Sequence, residues 1–217
     1  MSNVTTVGVD LAKQVFSVHG VDERGAVVLR RTVQRSKLVA LIAQLPPCLI
    51  GMEACSGAHE WARQFERWGH TVRLMAPRFV APYRKSGKND DNDAAAICEA
   101  VGRPSMRFVP VKSLEQQAVL AQHRIRQGFI EERTASINRI RGVLAEFGQV
   151  RPQSASAVRC GLAARLEHLP ERVARGLEDL LAHVRLLDER IGAYDRQLKQ
   201  HARSEPAQRI QQLESEG

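Results

Sequence analysis

Apolar and β-branched residues open the chain in short blocks. Val4 to Asp10 is the first and ends on an acid; "VFSVHGV" (15–21) and "AVVLRRTV" (26–33) follow, separated by the turn-like "DERG". This pattern predicts three strands in an antiparallel meander. Ser36 stands as N-cap before the helical run "KLVALIAQL", and after Pro46-Pro47 the apolar "CLIGME" predicts a buried strand ending on Glu53. In "AHEWARQFERWG" the residues Trp61, Phe65 and Trp68 fall at i, i+4 and i+7, a face for core packing rather than base stacking, and "TVRLMA" (71–76) reads as a further strand. The order β-β-β-α-β-α-β is that of an α/β sheet domain.

Beyond Pro110 the strand signals stop and helix formers dominate, which divides the chain into a sheet domain over 1–112 and a helical region over 113–217. Ile130, Ile137, Ile140, Leu144 and Phe147 keep a seven-residue rhythm. After a break at 148–156, Val173, Leu177, Leu180, Val184, Leu187, Ile191, Tyr194 and Leu198 alternate spacings of four and three, the a/d seam of a coiled coil. Gly176 and Gly192 each weaken the helix by about 1 kcal/mol relative to Ala, so packing must offset them. Two arrangements stand: a hairpin folded within the chain, or a homodimer or higher oligomer formed through the seam.

Composition narrows the function classes. The chain has 217 residues, 43% hydrophobic and 26% charged, as in an ordinary globular protein, and no apolar run approaches the roughly 18 residues of a membrane span. The opening "MSNVTTVGVDLAKQ" lacks the basic and apolar regions of an export signal, so the cytoplasm is the expected compartment and no membrane partner is expected. Cys48, Cys55, Cys98 and Cys160 form no CxxC pair and read as free thiols; the seven histidines show no HxH or HExxH spacing. A net charge of +8 and a pI near 9.8 favour a polyanionic partner. Residues 1–112 carry 16 Lys/Arg against 10 Asp/Glu, and 113–217 carry 16 against 14, so the excess lies mostly in the sheet domain.

Four carboxylates then draw attention. Asp10 ends the first predicted strand and Glu53 the fourth; if those strands are neighbours, both acids emerge at one sheet edge. Downstream, "KSGKNDDNDAAA" (85–96) carries Asp90 and Asp93 at i, i+3 on an incipient helix, sharing a face, while Asp91 is rotated about 100° away. Such a cluster repels itself unless a hard divalent cation, Mg²⁺ or Mn²⁺, neutralises it and leaves positions for phosphate oxygens. The same "NDDND" also satisfies a plain helix start, since aspartates complement the helix dipole and Asn89 can initiate the turn. Arg78, Arg84, Lys85 and Lys88 lie just upstream and suit a rim that grips a phosphate backbone. Lys13 serves equally as a phosphate contact or a surface lysine, and Arg124, Arg126, Arg133, Arg139 and Arg141 as RNA contacts or a solvated helix face.

With these motifs in place, "VGVDLAKQVFSV", "GMEACSGAHEWA", "VRLMAPRFVAPYRKSGKNDDNDAAAICEA" and "RTASINRIRGVLAEFG" make the sequence similar to the DEDD transposases of bacterial insertion sequences, the group that includes the Piv-type invertase. The resemblance covers residues 4–150 and continues in character through the helical region. It implies an RNase H-like fold of the RuvC type, a mixed sheet with flanking helices, whose Asp-Glu-Asp-Asp tetrad binds Mg²⁺. By motif the tetrad is Asp10, Glu53, Asp90 and Asp93. Asp91 is the competing frame, but paired with Asp93 at i, i+2 it would face away. The resemblance further implies DNA recombination guided by a structured RNA, and a C-terminal domain carrying a nucleophilic serine. The chain stops at "RIQQLESEG", about where that domain would begin, so the expectation is a shortened form without it.

Three other functions compete. A non-catalytic nucleic-acid-binding or dimerisation fragment accounts for the charge and the seam alone. A free-standing RuvC-type junction nuclease accounts for the tetrad, but not for the coiled coil. An actin-like ATPase or sugar kinase also opens with G-x-D, but needs a glycine and a hydroxyl next, where this chain has Leu11-Ala12-Lys13.

Overall fold

A computed structural model describes residues 4–84, 90–149 and 166–215, the side chains of 90, 91 and 203–215 excepted. The chain forms two compact units, Met1–Ser113 and Leu114–Gly217.

The first unit is built on a six-stranded sheet in the order β3-β2-β1-β4-β5-β6. Strands β1 (Thr6–Asp10), β2 (Val15–Val21) and β3 (Val27–Gln34) form the antiparallel meander read from their β-branched runs. The "DERG" turn is closed by the Asp22 carboxylate, which accepts the Arg24 and Ala26 N–H groups at 2.9 Å each, while Gly25 takes a φ of 78°. Strands β4 (Leu49–Glu53) and β5 (Thr71–Met75) run parallel to β1. The mixed sheet with flanking helices is consistent with an RNase H-like core.

Helices α1 (Arg35–Ala43) and α2 (Ala58–Arg67) supply Leu38, Ile42, Trp61 and Phe65 to one core, shared with Val7, Val9, Ile50 and Met52. Trp61, Phe65 and Trp68 stack in succession with centroids 5.7 and 5.9 Å apart, which fulfils their helical spacing. The short α3 (Pro77–Val80), a 3₁₀ turn (Ala81–Tyr83) and α4 (Asp90–Val101) belong to a second cluster, where Met75, Val80, Ile97 and Val101 are buried. Strand β6 (Phe108–Val109) adds two residues antiparallel to β5.

Ser36 is not the helix cap. Strand β3 passes directly into α1 at Arg35, Gln34 holds the cap position with no side-chain bond, and the Arg35 N–H donates to the Gln14 carbonyl at 2.7 Å. The Arg35 guanidinium covers Phe16 and Trp61 at 5.7 and 5.3 Å, so the helix start is set by tertiary contact rather than by capping.

Cys48, Cys55 and Cys98 are free, and burial pushes the Cys48 and Cys98 thiols up to about 11. The Cys48 N–H donates to Nδ1 of the buried His70 at 3.3 Å, an acceptor role that only the neutral ring can play. Burial lowers the His70 pKa below its ordinary 6.5, opposed by the Ile42 carbonyl. His59 shifts the same way through burial, Lys112 and Arg63. The unfolded chain therefore takes up these protons first, and stability present above 6.5 is lost as the pH falls below it. The unfolding temperature is expected to drop between about pH 7 and about pH 5.5, and to drop less in His70→Gln.

The second unit consists of two long helices, α5 (Leu114–Glu146) and α6 (Glu171–Ser215), which run antiparallel. Toward the C-terminal end of α5 and the start of α6 the contact is apolar, with Ile137, Ile140 and Leu144 against Leu177, Leu181 and Val184. Farther along Leu187 and Ile191 remain buried, and polar pairs join them: Arg133 bonds Asp188 at 2.9 Å, Arg126 bonds Asp195 at 2.5 Å, and the Phe129 and Tyr194 rings meet at 5.8 Å. No described helix is long and apolar enough to cross a membrane.

Candidate functional site

Two strand ends and one helix make the site. Strand β1 ends Gly8-Val9-Asp10 and β4 ends Gly51-Met52-Glu53, so each acid shares a sheet face with the glycine two residues before it. The strands are parallel neighbours with Gly8 opposite Gly51 and Val9 opposite Met52. Both acids therefore follow one step later on the same face and at the same edge.

That face carries α4. A Cβ on Gly8 would stand 2.2 Å from the Ala94 carbonyl oxygen and 2.4 Å from the Cys98 nitrogen, and one on Gly51 would stand 2.7 Å from the Val101 Cβ. Only hydrogen at both positions lets the helix backbone rest on the sheet. Asp93, adjacent to Ala94, is fixed by this contact and is only 6% exposed.

Arg84, just past the 3₁₀ turn, joins the acids. Its Nε lies 2.5 Å from Asp93 Oδ1, and its Nη2 donates to Glu53 Oε1 at 3.4 Å. The Arg84–Asp93 approach is close but misaligned: Nε and Oδ1 are both buried, yet neither makes a hydrogen bond of proper geometry among the described residues. Opposite Asp10 in register is Ser17, whose buried hydroxyl has no hydrogen-bond partner among the described residues. The Cys55 thiol is pushed up by burial and then by the charges of Glu53 and Asp10, so it lies in the field of both acids.

The donors fit a hard divalent cation in kind, being carboxylate oxygens with a hydroxyl beside them. Among the described residues, however, no three His, Cys, Asp or Glu side chains are grouped closely enough to hold a metal ion. The cation between Glu53 and Asp93 is Arg84. Asp90 is the first residue of α4, but its side chain and that of Asp91 lie outside the described set, as do Lys85, Lys88 and Asn89.

The remaining basic residues are dispersed. Lys13 is exposed in the β1–β2 loop, and Arg78 is exposed on α3 with its guanidinium 4.8 Å from the Phe79 ring centroid. On α5, Arg126 and Arg133 point into the helix pair, and Arg141 Nη1 donates to Asn138 at 3.3 Å. Arg124 and Arg139 are exposed and, fifteen positions apart, lie within about 60° of each other around the helix. Two contributions escaped the sequence reading. One is the glycine pair, whose signal is the repeated spacing Gly-x-acid; the other is the inward turn of Arg84, for which the sequence carries no signal.

Comparison with known proteins bears on this arrangement. A family model described as "Transposase", that of the DEDD transposases of the IS110 type, matches residues 7–148. A probable family 20 transposase of Pseudomonas aeruginosa is 47% identical over 216 residues, covering 97% of this chain and 63% of that protein. The transposase for insertion sequence element IS1328 of Yersinia enterocolitica is 42% identical, covering 97% and 64%, and that for IS1111A of Coxiella burnetii is 41% identical, covering 100% and 61%. The chain thus spans less than two thirds of the length of these relatives.

Proposed function

Because the chain belongs to the DEDD transposase family of bacterial insertion sequences, we propose that its first unit is the metal-dependent acidic core of a DNA recombinase. The observation that carries this reading is the pair of strand-terminal acids, Asp10 and Glu53, set on the face where α4 presents Asp93. Asp10, Glu53, Asp90 and Asp93 would hold Mg²⁺ or Mn²⁺. When bound, the ion supplies Lewis-acid activation of a phosphodiester and relief of the acids' mutual repulsion.

The chain's own residues do the rest. Glycine-mediated packing holds Asp93 at the sheet edge with its rotamer confined by burial. Lys13, Arg78, Lys85 and Lys88 bind flanking phosphates of DNA, and Arg84 serves there once it is free of the acids. Arg124 and Arg139 offer a second, separate set of backbone contacts suited to structured RNA, whereas Arg126 and Arg133 are engaged between the helices. We further read α5 and α6 as a coiled-coil hairpin folded within the chain, because the seam residues Leu177 and Val184 pack against Ile137, Ile140 and Leu144; pairing of that seam with a second copy is the alternative. DNA cleavage and strand exchange in insertion-sequence transposition are the reactions this core would serve.

Phosphate contact makes binding salt-dependent. With about four phosphates neutralised, affinity for a DNA duplex in Mg²⁺ is expected to fall on the order of 100-fold between about 50 and 200 mM salt. Fluorescence anisotropy across that range measures it, and a flat response contradicts the phosphate-contact reading.

A further inference from the structure

Arg84 does not behave as a rim residue. Its guanidinium reaches Asp93 and Glu53 together, across 31 positions of sequence to the latter, and its Nε is buried. Two half-buried or buried carboxylates at one edge carry a large desolvation and repulsion cost, and a single cation between them offsets much of it. The contact is nonetheless a poor hydrogen bond, because Nε and Asp93 Oδ1 meet without alignment. Its hold on the two acids is thus chiefly electrostatic, that of a counter-ion.

We infer that Arg84 is the built-in counter-cation of the acidic site, holding Glu53 and Asp93 until a divalent cation takes its place. The inference rests on the metal-site reading above. In the metal-free protein the guanidinium keeps the acids together and their charge compensated. On metal binding it leaves Asp93 and Glu53, and being part of the segment between α3 and α4 it stays close to the site, where its charge favours phosphate. Arg84 is thus a positioning residue that competes with the ion rather than one that assists it.

Competition gives the opposite sign from support. Arg84→Gln is expected to bind Mn²⁺ at least threefold more tightly than wild type, read from free Mn²⁺ by electron paramagnetic resonance, and to unfold at a lower temperature in chelator. A purely structural arginine would leave affinity unchanged or weaken it. Wild type supplies an independent reading that needs no variant to fold: the Arg84 Nε–H resonance, identified by its disappearance in Arg84→Lys, should exchange slowly with solvent in chelator and rapidly at saturating Mg²⁺. Saturable binding with Arg84→Gln no tighter, or an Nε–H still protected at saturation, overturns this inference alone. Absence of any saturable binding to wild type overturns the metal-site reading as well.

Discussion

Gly8→Ala is expected to destabilise the first unit by roughly 3 kcal/mol, far beyond the usual effect of one added methyl. The new Cβ would meet the Ala94 carbonyl oxygen at 2.2 Å and the Cys98 nitrogen at 2.4 Å, and neither atom belongs to a side chain that can rotate away. Helix α4 must lift from β1 or the strand must bend. Either movement opens the packing of Ile97 and Val101, both fully buried. Both tryptophans of the chain, Trp61 and Trp68, lie in this unit, so their fluorescence reports its unfolding in denaturant. The control is Gly176→Ala on α6, where nothing lies within 4 Å of the added atom; it should stabilise the helix by roughly 0.5–1 kcal/mol, read by far-ultraviolet circular dichroism because the second unit has no tryptophan. The same chemical change thus acts with opposite sign according to what lies over the glycine.

The second large effect separates Asp93 from Asp91. Asp93→Asn keeps the shape of the side chain and removes its charge, so the acidic edge loses one proposed anionic ligand and the charged partner of Arg84. Affinity for Mn²⁺ is expected to fall at least about tenfold, since even the loss of a partner outside the ligand shell typically costs about 10- to 100-fold. Asp91, two residues earlier on α4 and therefore about 160° away around the helix, should tolerate Asn with less than about a twofold change. Equal losses in the two variants would place the wrong aspartate in the site.

Much of this architecture was legible because several local signals agreed. The β-branched blocks, the turn closed by Asp22 and the aromatic spacing of α2 all point to the observed meander and its covering helix. The strand-terminal acids were visible as well, since an acid ending an apolar run has few places to go but an edge. What escaped depends on contacts distant in sequence. Arg35 starts α1 because Gln14, Phe16 and Trp61 receive it, which no capping rule for Ser36 anticipates. Strand β6 is two residues long, too short for any periodicity to show, and is covered by Arg73 stacked on Phe108 at 4.6 Å. The arginines of α5 look equivalent in sequence, yet Asp195 and Asp188 engage Arg126 and Arg133 while Arg124 and Arg139 stay exposed. Arg84 is the most consequential case: a long side chain beside the acidic segment reads as a rim cation, and only the fold turns it inward.

Asp10, Glu53, Asp90 and Asp93, from two strands and a helix, are proposed to act as one divalent-cation site once Arg84 leaves Glu53 and Asp93. Mn²⁺ titration of wild type, Asp10→Asn, Glu53→Gln and Asp93→Asn, each with a short DNA duplex present so that phosphate completes the ligand shell, tests it most directly. Each single substitution is predicted to weaken Mn²⁺ binding by at least about tenfold while the tryptophan fluorescence stays that of the folded unit. Variants that bind Mn²⁺ as wild type does would contradict it.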